Sequence, residues 1–361
     1  PPFTDIIVAS PLRRLPVLPA RSIGSAPQVD ETEPGGHGHR CTTVRRWPES
    51  DPAPAAHEAA VKRVQSLARS LDLPTRFIDH NRANPAWLEA LPDLLDRLAA
   101  DWSLTLGPPF PGIALNYVAP AARADGGRCV LKVSRYVDEL PNEIAALRLW
   151  NGRGAARLLA ADPDRGALLV ERLEPGTMLA TLAESSDDAA TLIAAGVLRQ
   201  LWRSVPERHG LRPLDDWCAA YDRNREALEG GANGFPAGLF RRADGLRRDL
   251  LSSSGPPTVL HGDMHHFNVL RAGRAAWLAI DPKGLAGDRC FDVCQFFRNP
   301  HDMPPRVNGR RLDIFCAELD LDRARTKAWC LVHALLDACW DFEDGNSWER
   351  AVAYAEATLS F

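Results

Sequence analysis

A short polar segment, residues 261–268, constrains this chain more than any other feature of its sequence. It reads His-Gly-Asp-Met-His-His-Phe-Asn, and it is followed by an apolar run at residues 277–280 that ends at Asp281. A short apolar run of this kind is typical of a buried strand. The segment therefore places a carboxylate, Asp263, and a carboxamide, Asn268, shortly before a strand that delivers a second carboxylate.

The spacing of these three residues predicts phosphoryl transfer. Asp263 and Asn268 are five positions apart, which is the Asp-x-x-x-x-Asn spacing of a kinase catalytic loop. A carboxylate can orient an attacking hydroxyl and accept its proton, and we assign this role to Asp263. Mg²⁺ prefers oxygen ligands, so Asn268 and Asp281 are the predicted metal ligands. Caps and turns could explain one such residue alone, but not the whole set before an apolar strand.

Three stretches resemble the aminoglycoside phosphotransferase family, and more narrowly its streptomycin 6-phosphotransferase and hydroxyurea phosphotransferase group. They are residues 260–270, residues 277–284 with Asp-Pro-Lys-Gly, and residues 145–159 with Trp-Asn-Gly-Arg-Gly-Ala. The resemblance covers about residues 80–361. It implies an α+β, protein-kinase-like fold of two lobes, in which a small β-rich N-lobe precedes a larger α-helical C-lobe. It also implies ATP and Mg²⁺ as cofactors.

The order of the predicted elements agrees with two lobes and an extension. Residues 1–75 are rich in Pro, Gly, Ala and Arg, which favours a disordered or loosely attached extension. Residues 76–172 contain the strand patterns and form the predicted nucleotide-binding N-lobe. Residues 173–361 are dominated by helical patterns and form the predicted catalytic and substrate-binding C-lobe.

Lysine is rare in this chain, so each of its four lysines is informative. Lys132 lies in the apolar run 129–133, and a buried amine is costly unless it faces an anion. In related kinases a strand lysine grips the α- and β-phosphates and pairs with a helix Glu. Glu143 is the predicted partner, and Glu139 is the alternative. Lys283 could contact phosphate, or it could be an ordinary surface lysine.

Two further segments are assigned to the nucleotide. The resemblance implies that residues 168–173 form the strand and hinge between the lobes, where backbone groups near Glu171 and Leu173 would bond to adenine. An ordinary strand end is the alternative. The expected phosphate-covering loop departs from the Gly-x-Gly-x-x-Gly pattern, because residues 108–118 contain three prolines, which remove backbone donors. Asn116 in this loop could equally be a simple turn residue.

The predicted acceptor is a small cationic molecule, an aminocyclitol of the streptomycin type. This follows from the resemblance, since streptomycin-like compounds carry guanidinium groups that require an acidic pocket. The candidate acidic residues follow the catalytic core and are Asp288, Asp292, Asp337, Asp341, Glu343 and Asp344. Each alone could be a solvated helix residue. For Asp292 the favoured role is to anchor the loop after Asp281 through hydrogen bonds. His261 and one of the pair His265 and His266 are expected to hold the loop by hydrogen bonds rather than to transfer protons.

Other function classes fit less well. The net charge of −4 argues against nucleic acid as the main partner. No apolar run reaches the length of a membrane span, we expect no secretory signal, and scattered cysteines favour a cytoplasmic protein. A kinase for hydroxyurea or another metabolite is an alternative. A nucleotide-binding pseudokinase is a second one, disfavoured by the retained Lys132, Asp263, Asn268 and Asp281. A protein kinase is disfavoured because Pro-Lys, not Phe-Gly, follows Asp281.

Overall fold

The structure is a computed structural model that describes residues 71–300 and 304–360 of the chain. The predicted N-terminal extension, residues 1–75, therefore lies almost wholly outside the described residues. Leu71 and Leu73 pack against the apolar core of the first lobe. The described part of the chain thus joins this lobe before the predicted boundary at residue 76.

The N-lobe is built on a five-stranded sheet in which every neighbouring pair is antiparallel. The strand order is β1-β2-β3-β5-β4. The strands are β1 Leu104–Leu106, β2 Tyr117–Arg123, β3 Arg128–Val133, β4 Leu158–Asp162 and β5 Ala167–Glu171. The helices of this lobe are α1 Thr75–Asn81, α2 Pro85–Asp101 and α3 Leu140–Trp150, the last of which connects β3 to β4.

Helix α2 supplies much of the apolar core beneath the sheet. It begins at Pro85, where the fixed φ of proline suits the first helical position. Its buried side chains recur at helical spacing and are Trp87, Leu88, Leu91, Leu95 and Leu98. They share one core with Phe77 of α1 and with Tyr117 and Leu131 of the sheet. This packing carries the helix through Pro92, although proline removes one helical hydrogen bond.

The C-lobe is mainly helical. Its helices are α4 Leu179–Ala183, α5 Asp187–Leu201, α6 Leu214–Trp217, α7 Ala220–Glu229, α8 Ala237–Ser252, α9 Arg289–Asp292, α10 Cys294–Phe297, α11 Pro305–Leu319, α12 Arg323–Glu343 and α13 Glu349–Thr358, with a 3₁₀ turn at Ala232–Gly234. Helix α12 contacts α7 to α11 and α13. Every residue from 329 to 336 is buried, as expected for a helix at the centre of a lobe.

Two small sheets in the C-lobe position the polar segment singled out above. The first has the order β10-β9-β6 and the second has the order β7-β11-β8. Their strands are β6 Pro175–Met178, β7 Arg212–Pro213, β8 Thr258–Leu260, β9 Val269–Ala272, β10 Trp277–Ala279 and β11 Leu285–Gly287. Residues 261–268 lead from the second sheet to the first, and residues 280–284 lead back. The two connections therefore run side by side.

The predicted fold class is confirmed, with a small β-rich lobe followed by a larger helical one. Within the helical pattern of the C-lobe, residues 214–229 form two helices, α6 and α7, separated at residues 218–219. Strands β6, β7 and β11 and helices α9 and α10 were not predicted, because two to four residues carry too little pattern. Across the described ranges, no helix combines the length and apolar character that a membrane span requires.

Candidate active site

Lys132 of β3 contacts two carboxylates in the cleft between the lobes. Its Nζ donates to Oε2 of Glu143 at 2.7 Å and also to Oδ1 of Asp281. Glu143 is in the first turn of α3, which favours a negative charge, and it is the predicted partner rather than Glu139. Asp281 follows β10 with φ 57°, in the left-handed region that aspartate adopts infrequently. This contact joins the two lobes.

The charges of this cluster support one another although the groups are buried. Burial opposes the charge of Lys132, but Asp281 and Glu143 outweigh that effect and raise the pKa of the lysine. Burial would raise the pKa of Asp281, yet the charges of Lys132 and Lys283 hold it well below its usual range. Burial raises the pKa of Glu143, and Lys132 opposes that rise. Lys132 and Asp281 are therefore both ionised at neutral pH.

The loop after Asp281 also brings the lobes close together. Gly284 has φ 65°, and a Cβ atom there would lie 2.0 Å from the backbone oxygen of Asn142, in the first turn of α3. Any other residue would collide with that backbone, so glycine is required for this approach. The backbone N–H of Lys283 donates to the carbonyl of His261 at 2.7 Å. The loop is thereby fixed to the polar segment as well.

The polar segment folds into a turn that brings Asp263 and Asn268 together. Nδ2 of Asn268 donates to the backbone oxygen of Asp263 at 3.0 Å. The backbone N–H of Ile280 donates to the backbone oxygen of Asn268 at 2.9 Å, which places Asn268 beside Asp281. Gly262 makes the turn possible with φ 78°, in the region that favours glycine. The three residues predicted from spacing thus converge at the end of β10.

Asp292, the last residue of α9, anchors this turn from behind. Its Oδ2 accepts from the backbone N–H of His261 at 3.0 Å and from Nε1 of Trp202 at 2.9 Å, and its Oδ1 accepts from the N–H of Gly262 at 2.6 Å. The residue is 1% exposed. Its oxygens are occupied by protein donors, so the expected contact with substrate does not fit this position. The anchored segment precedes Asp263, whereas we had expected the loop after Asp281.

His261 has the hydrogen bonds expected of a structural residue. Of the next two histidines, His265 bonds to the loop backbone, because its Nδ1 accepts from the N–H of Phe267 at 3.2 Å, whereas His266 is held by packing. Nδ1 of His261 accepts from the N–H of Asp263 at 3.2 Å, so its proton lies on Nε2, which donates to the carbonyl of Ile280 at 2.9 Å. Burial lowers the pKa of His261 to about 4. The ring of His266 stacks on Phe296 at 3.7 Å, and burial lowers the pKa of His266 well below its usual value. The rings of His261 and His266 are neutral at pH 7.

A cavity of about 490 Å³ opens beside Lys132 and Asp281. Its walls are mostly apolar, and they include residues of β2, β3, β5, β6 and β9. Residues 171–173 lie on the wall, at the position predicted for the hinge. The carboxylate of Glu171 is bonded to Nε of Arg274 at 2.7 Å and to the N–H of Arg157 at 3.1 Å. The backbone N–H groups of Glu171 and Arg172 donate to the carbonyls of Arg157 and Arg128 as well. Neither the Glu171 side chain nor these two N–H groups are therefore open to a ligand, and Leu173 is the residue of this segment whose backbone remains a candidate.

The proline-rich loop between β1 and β2 closes this cavity. Residues 110–114 and Asn116 line it. Oδ1 of Asn116 is buried and has no hydrogen-bond partner among the residues that the structure describes. The loop therefore forms one wall of the cavity beside Lys132, and Asn116 lies on that wall.

Residues 112–345 match the family of aminoglycoside/hydroxyurea antibiotic resistance kinases. The chain belongs to this family. A streptomycin 6-kinase of Streptomyces glaucescens is 38% identical over 269 residues, covering 73% of this chain and 86% of the relative. A hydroxyurea phosphotransferase of Kitasatospora aureofaciens is 36% identical over 297 residues, covering 77% of this chain and 81% of the relative. This chain is thus a phosphotransferase that acts on a hydroxyl group, with ATP as co-substrate.

Solved structures agree with the fold of this kinase. A choline/ethanolamine kinase family protein from Mesorhizobium loti gives a TM-score of 0.54 at 18% identity, covering 74% of this chain and 92% of that one. An aminoglycoside phosphotransferase crystallised with ADP and hygromycin B gives a TM-score of 0.54 at 15% identity, covering 73% of this chain and 96% of that one. At these identities the likeness shows a shared architecture.

Two more of the acidic residues predicted to bind the acceptor form hydrogen bonds with other groups of the C-lobe. Asp288 caps α9, and its Oδ2 accepts from Nε1 of Trp329 at 2.7 Å. Glu343 accepts two bonds from the guanidinium of Arg223, at 2.8 and 2.9 Å. Their side chains are 8% and 5% exposed. We therefore assign Asp288 and Glu343 to the stability of the C-lobe and no longer to substrate recognition.

Asp341 and Asp344, at the end of α12, have a different environment. Burial raises the pKa of Asp341 to about 6, against the opposing charge of Arg298. Arg298 pairs with Asp337, one turn earlier on the same helix. Its charge also interacts with Asp263. Asp337 was among the acidic residues predicted for the acceptor, and its carboxylate is used by Arg298 instead. Arg298 itself was not predicted.

Proposed function

We propose that this kinase transfers the γ-phosphate of ATP to a hydroxyl of a streptomycin-type aminoglycoside and thereby inactivates the antibiotic. The observation that carries the proposal is the convergence of Lys132, Asp263, Asn268 and Asp281 beside a cavity. The acceptor class is supported by the relatives, which include streptomycin 6-kinases of Streptomyces glaucescens and Streptomyces griseus.

ATP is proposed to occupy the 490 Å³ cavity. Adenine would lie against the backbone of residues 171–173, where we place the boundary between an N-lobe that ends at residue 172 and a C-lobe that follows. The phosphates would point to Lys132, whose fixed positive charge suits them. A smaller pocket shares Asn116, Lys132 and Glu143 with the cavity and is bordered by Lys283. Lys283 is therefore the proposed second cationic contact.

Asn268 and Asp281 fit a hard divalent cation. Because Nδ2 of Asn268 faces the backbone oxygen of Asp263, its Oδ1 points the other way. Asp281 is ionised beside it, so the pair offers the oxygen ligands that Mg²⁺ prefers. When bound, Mg²⁺ would neutralise negative charge on the phosphates during transfer. Asn268 and Asp281 are our proposed ligands.

Asp263 is proposed to position the acceptor hydroxyl and to accept its proton. The residue is 3% exposed, and its backbone N–H and oxygen are held by His261 and Asn268. The acceptor oxygen bonds to the γ-phosphorus, its proton passes to the Asp263 carboxylate, and the bond to the β,γ-bridging oxygen breaks to give ADP. Such transfers pass through a loose transition state, so the fixed direction of the carboxylate matters more than its base strength.

Asp341 and Asp344 are the proposed recognition residues for a cationic acceptor. Burial disfavours the charge of Asp341, so a guanidinium or ammonium bound beside it would restore the ionised form. Arg298 lies within electrostatic reach of both Asp341 and Asp263. The charge of Arg298 therefore acts on both the acidic end of α12 and the catalytic turn. An acceptor that contacts Asp341 and Asp263 at once would lie close to this charge.

A screen for ADP release tests the proposal. Purified protein with Mg²⁺ and ATP is offered streptomycin, other aminoglycosides and hydroxyurea separately, and the product is identified by the mass of one added phosphoryl group. We expect turnover with streptomycin-type compounds and background release with water alone. Turnover with hydroxyurea and none with streptomycin would favour the activity named for the Kitasatospora aureofaciens relative. Nucleotide binding without turnover on any compound would contradict the proposal.

A further inference from the structure

Asn81, the last residue of α1, contacts the loop that closes the cavity. Its side chain is fully buried. Nδ2 donates to the backbone oxygens of Ala114 at 3.1 Å and Leu115 at 3.4 Å, and to that of Phe77 one helical turn back at 2.9 Å. Ala114 and Leu115 immediately precede Asn116, which lines the cavity. A residue outside all the predicted motifs thus bonds directly to the proposed phosphate-covering loop.

The loop depends on this outside donor because its own backbone provides few. Pro108, Pro109 and Pro111 have no N–H group. Within the loop itself, the N–H of Ile113 reaches the oxygen of Phe110 at 3.3 Å. Buried carbonyls that lack a donor cost free energy. The Asn81 amide therefore supplies donors that the loop backbone lacks, and it stabilises the observed conformation of the loop.

The same amide connects the loop to the strand that bears the cleft lysine. Nε of Arg135 donates to Oδ1 of Asn81 at 3.0 Å. Arg135 lies just beyond the end of β3 and three residues after Lys132. One side chain therefore joins α1, the loop and the end of β3. The position of the Asn81 side chain therefore helps to fix the distance between the loop and Lys132.

We propose that Asn81 is a positioning residue for nucleotide binding, which holds residues 112–116 in place over the phosphates. This rests on the proposed function, since it assumes that the cavity binds ATP. Asparagine suits the position because a carboxamide donates to the loop and accepts from Arg135 at the same time. An aspartate would retain the acceptor and remove both donors.

The test compares Asn81→Asp with Asn308→Asp. Asn308 is a buried helix residue of α11, 3% exposed, and its Oδ1 accepts from Nη1 of Arg311 at 3.3 Å. Both changes keep the volume and the acceptor for an arginine, but only the change at Asn81 removes donors to the loop. Two quantities are measured: the Kd of AMP-PNP with Mg²⁺ by calorimetry, and amide hydrogen exchange of residues 112–116 without nucleotide.

We expect Asn81→Asp to raise the Kd of AMP-PNP roughly five- to tenfold and to speed exchange in the loop, while Asn308→Asp changes the Kd less than about twofold. An equal rise in both variants, or faster exchange with an unchanged Kd, would overturn the proposal. If Asn81→Asp does not fold, Asn81→Ser replaces it: one retained donor predicts a smaller rise, and wild-type Kd and exchange would overturn the proposal.

The Kd of AMP-PNP for the wild-type protein separates this proposal from the proposed function. Failure of the wild-type protein to bind AMP-PNP would refute the ATP site, and with it the role of Asn81 in nucleotide binding. Normal binding by the wild type, with no difference between the two variants, would refute the role of Asn81 alone.

Discussion

The two loops that meet in the cleft are held in opposite ways. The catalytic turn, residues 261–268, is fixed by bonds from several directions: Asn268 bonds to Asp263, His261 to Ile280, and Asp292 to the backbone of its first two residues. The covering loop, residues 107–116, bonds to β2 through the backbone N–H groups of Gly107 and Phe110, and it is tied near Asn116 by one side chain, that of Asn81. The residues proposed for the chemistry thus lie on the strongly fixed loop.

This contrast has a physical reason. A proton acceptor and metal ligands must keep their directions during transfer, since a displacement of about 1 Å can cost about a hundredfold in rate. A loop that covers a nucleotide has a different task, because the ligand must enter and leave beneath it. A single tie is suited to a loop that is ordered but can be displaced.

Replacing Asp263 by Ala should have the largest effect of the predictions made from this comparison. It removes the acceptor of the hydroxyl proton and leaves the cavity unchanged, so we expect turnover to fall about 1,000-fold and the Kd of AMP-PNP to change less than about twofold. Steady-state ADP release and calorimetry measure the two quantities. Asp164→Ala, in an exposed N-lobe turn, is the control. A loss of less than about tenfold would contradict the assigned role.

Replacing Asp292 by Asn should loosen the catalytic turn without touching the covering loop. The amide turns one acceptor into a donor that faces backbone N–H groups, which should lower the free energy of unfolding by about 2 kcal/mol. Turnover should fall about a hundredfold through misplacement of Asp263. Urea denaturation and steady-state kinetics report the two effects. Wild-type turnover in this variant would show that the turn keeps its shape without the anchor.

Lowering the pH should remove the stability that the neutral ring of His333 contributes to the C-lobe, which holds the catalytic turn. Burial lowers the pKa of His333 to about 3, so this ring is neutral in the folded protein at pH 5 but protonated in the unfolded chain, whose histidines titrate near 6.5. The stability it contributes is present above pH 6.5 and is lost as the pH falls toward 3. The wild-type free energy of unfolding minus that of His333→Gln should fall by about 2 kcal/mol between pH 7 and 5.

Urea denaturation of both proteins at the two pH values gives this difference. The subtraction matters because Asp292 and Asp341 act in the opposite direction: burial raises the pKa of each to about 6, so between about pH 6 and 4 they favour the folded state as protons bind. A difference that does not change with pH would mean that His333 is protonated in the folded protein.

Removing residues 1–70 should have the smallest effect. Every contact described above for the two loops is made by residues from Asn81 onward, so turnover and both KM values should change less than about twofold. Loss of turnover in a truncated protein that still unfolds cooperatively would show that the N-terminal segment takes part in the site.

The catalytic turn was predictable from the sequence because its geometry is local. Asp263 and Asn268 are five positions apart and bond to each other, and the strand before Asp281 is a visible apolar run. Lys132 was predictable for a different reason: a lone amine in an apolar strand requires an anion. For these residues the physical requirement is contained within a few neighbouring positions.

The remaining site residues depend on partners far away in the sequence. Asp288 and Glu343 appeared available for a cationic acceptor, but Arg325 and Arg223 lie 37 and 120 positions from them and occupy their oxygens. Asn81 lies 33 positions before the carbonyl of Ala114 that it supports. Spacing rules do not reach such pairs, so only the folded chain shows which acidic residues are already bonded within the lobe.

The contact of Lys132 with Asp281 has a consequence for binding thermodynamics. One ammonium group is already shared between carboxylates of both lobes, so an incoming triphosphate enters as a third anion in competition with a tethered one. The net affinity for the nucleotide is then the difference between two ion-pairing free energies, and it is smaller than the strength of the new contact alone. Tight pairing in the ligand-free protein thus keeps the lysine charged and aligned and, by the same means, limits how strongly the product is retained.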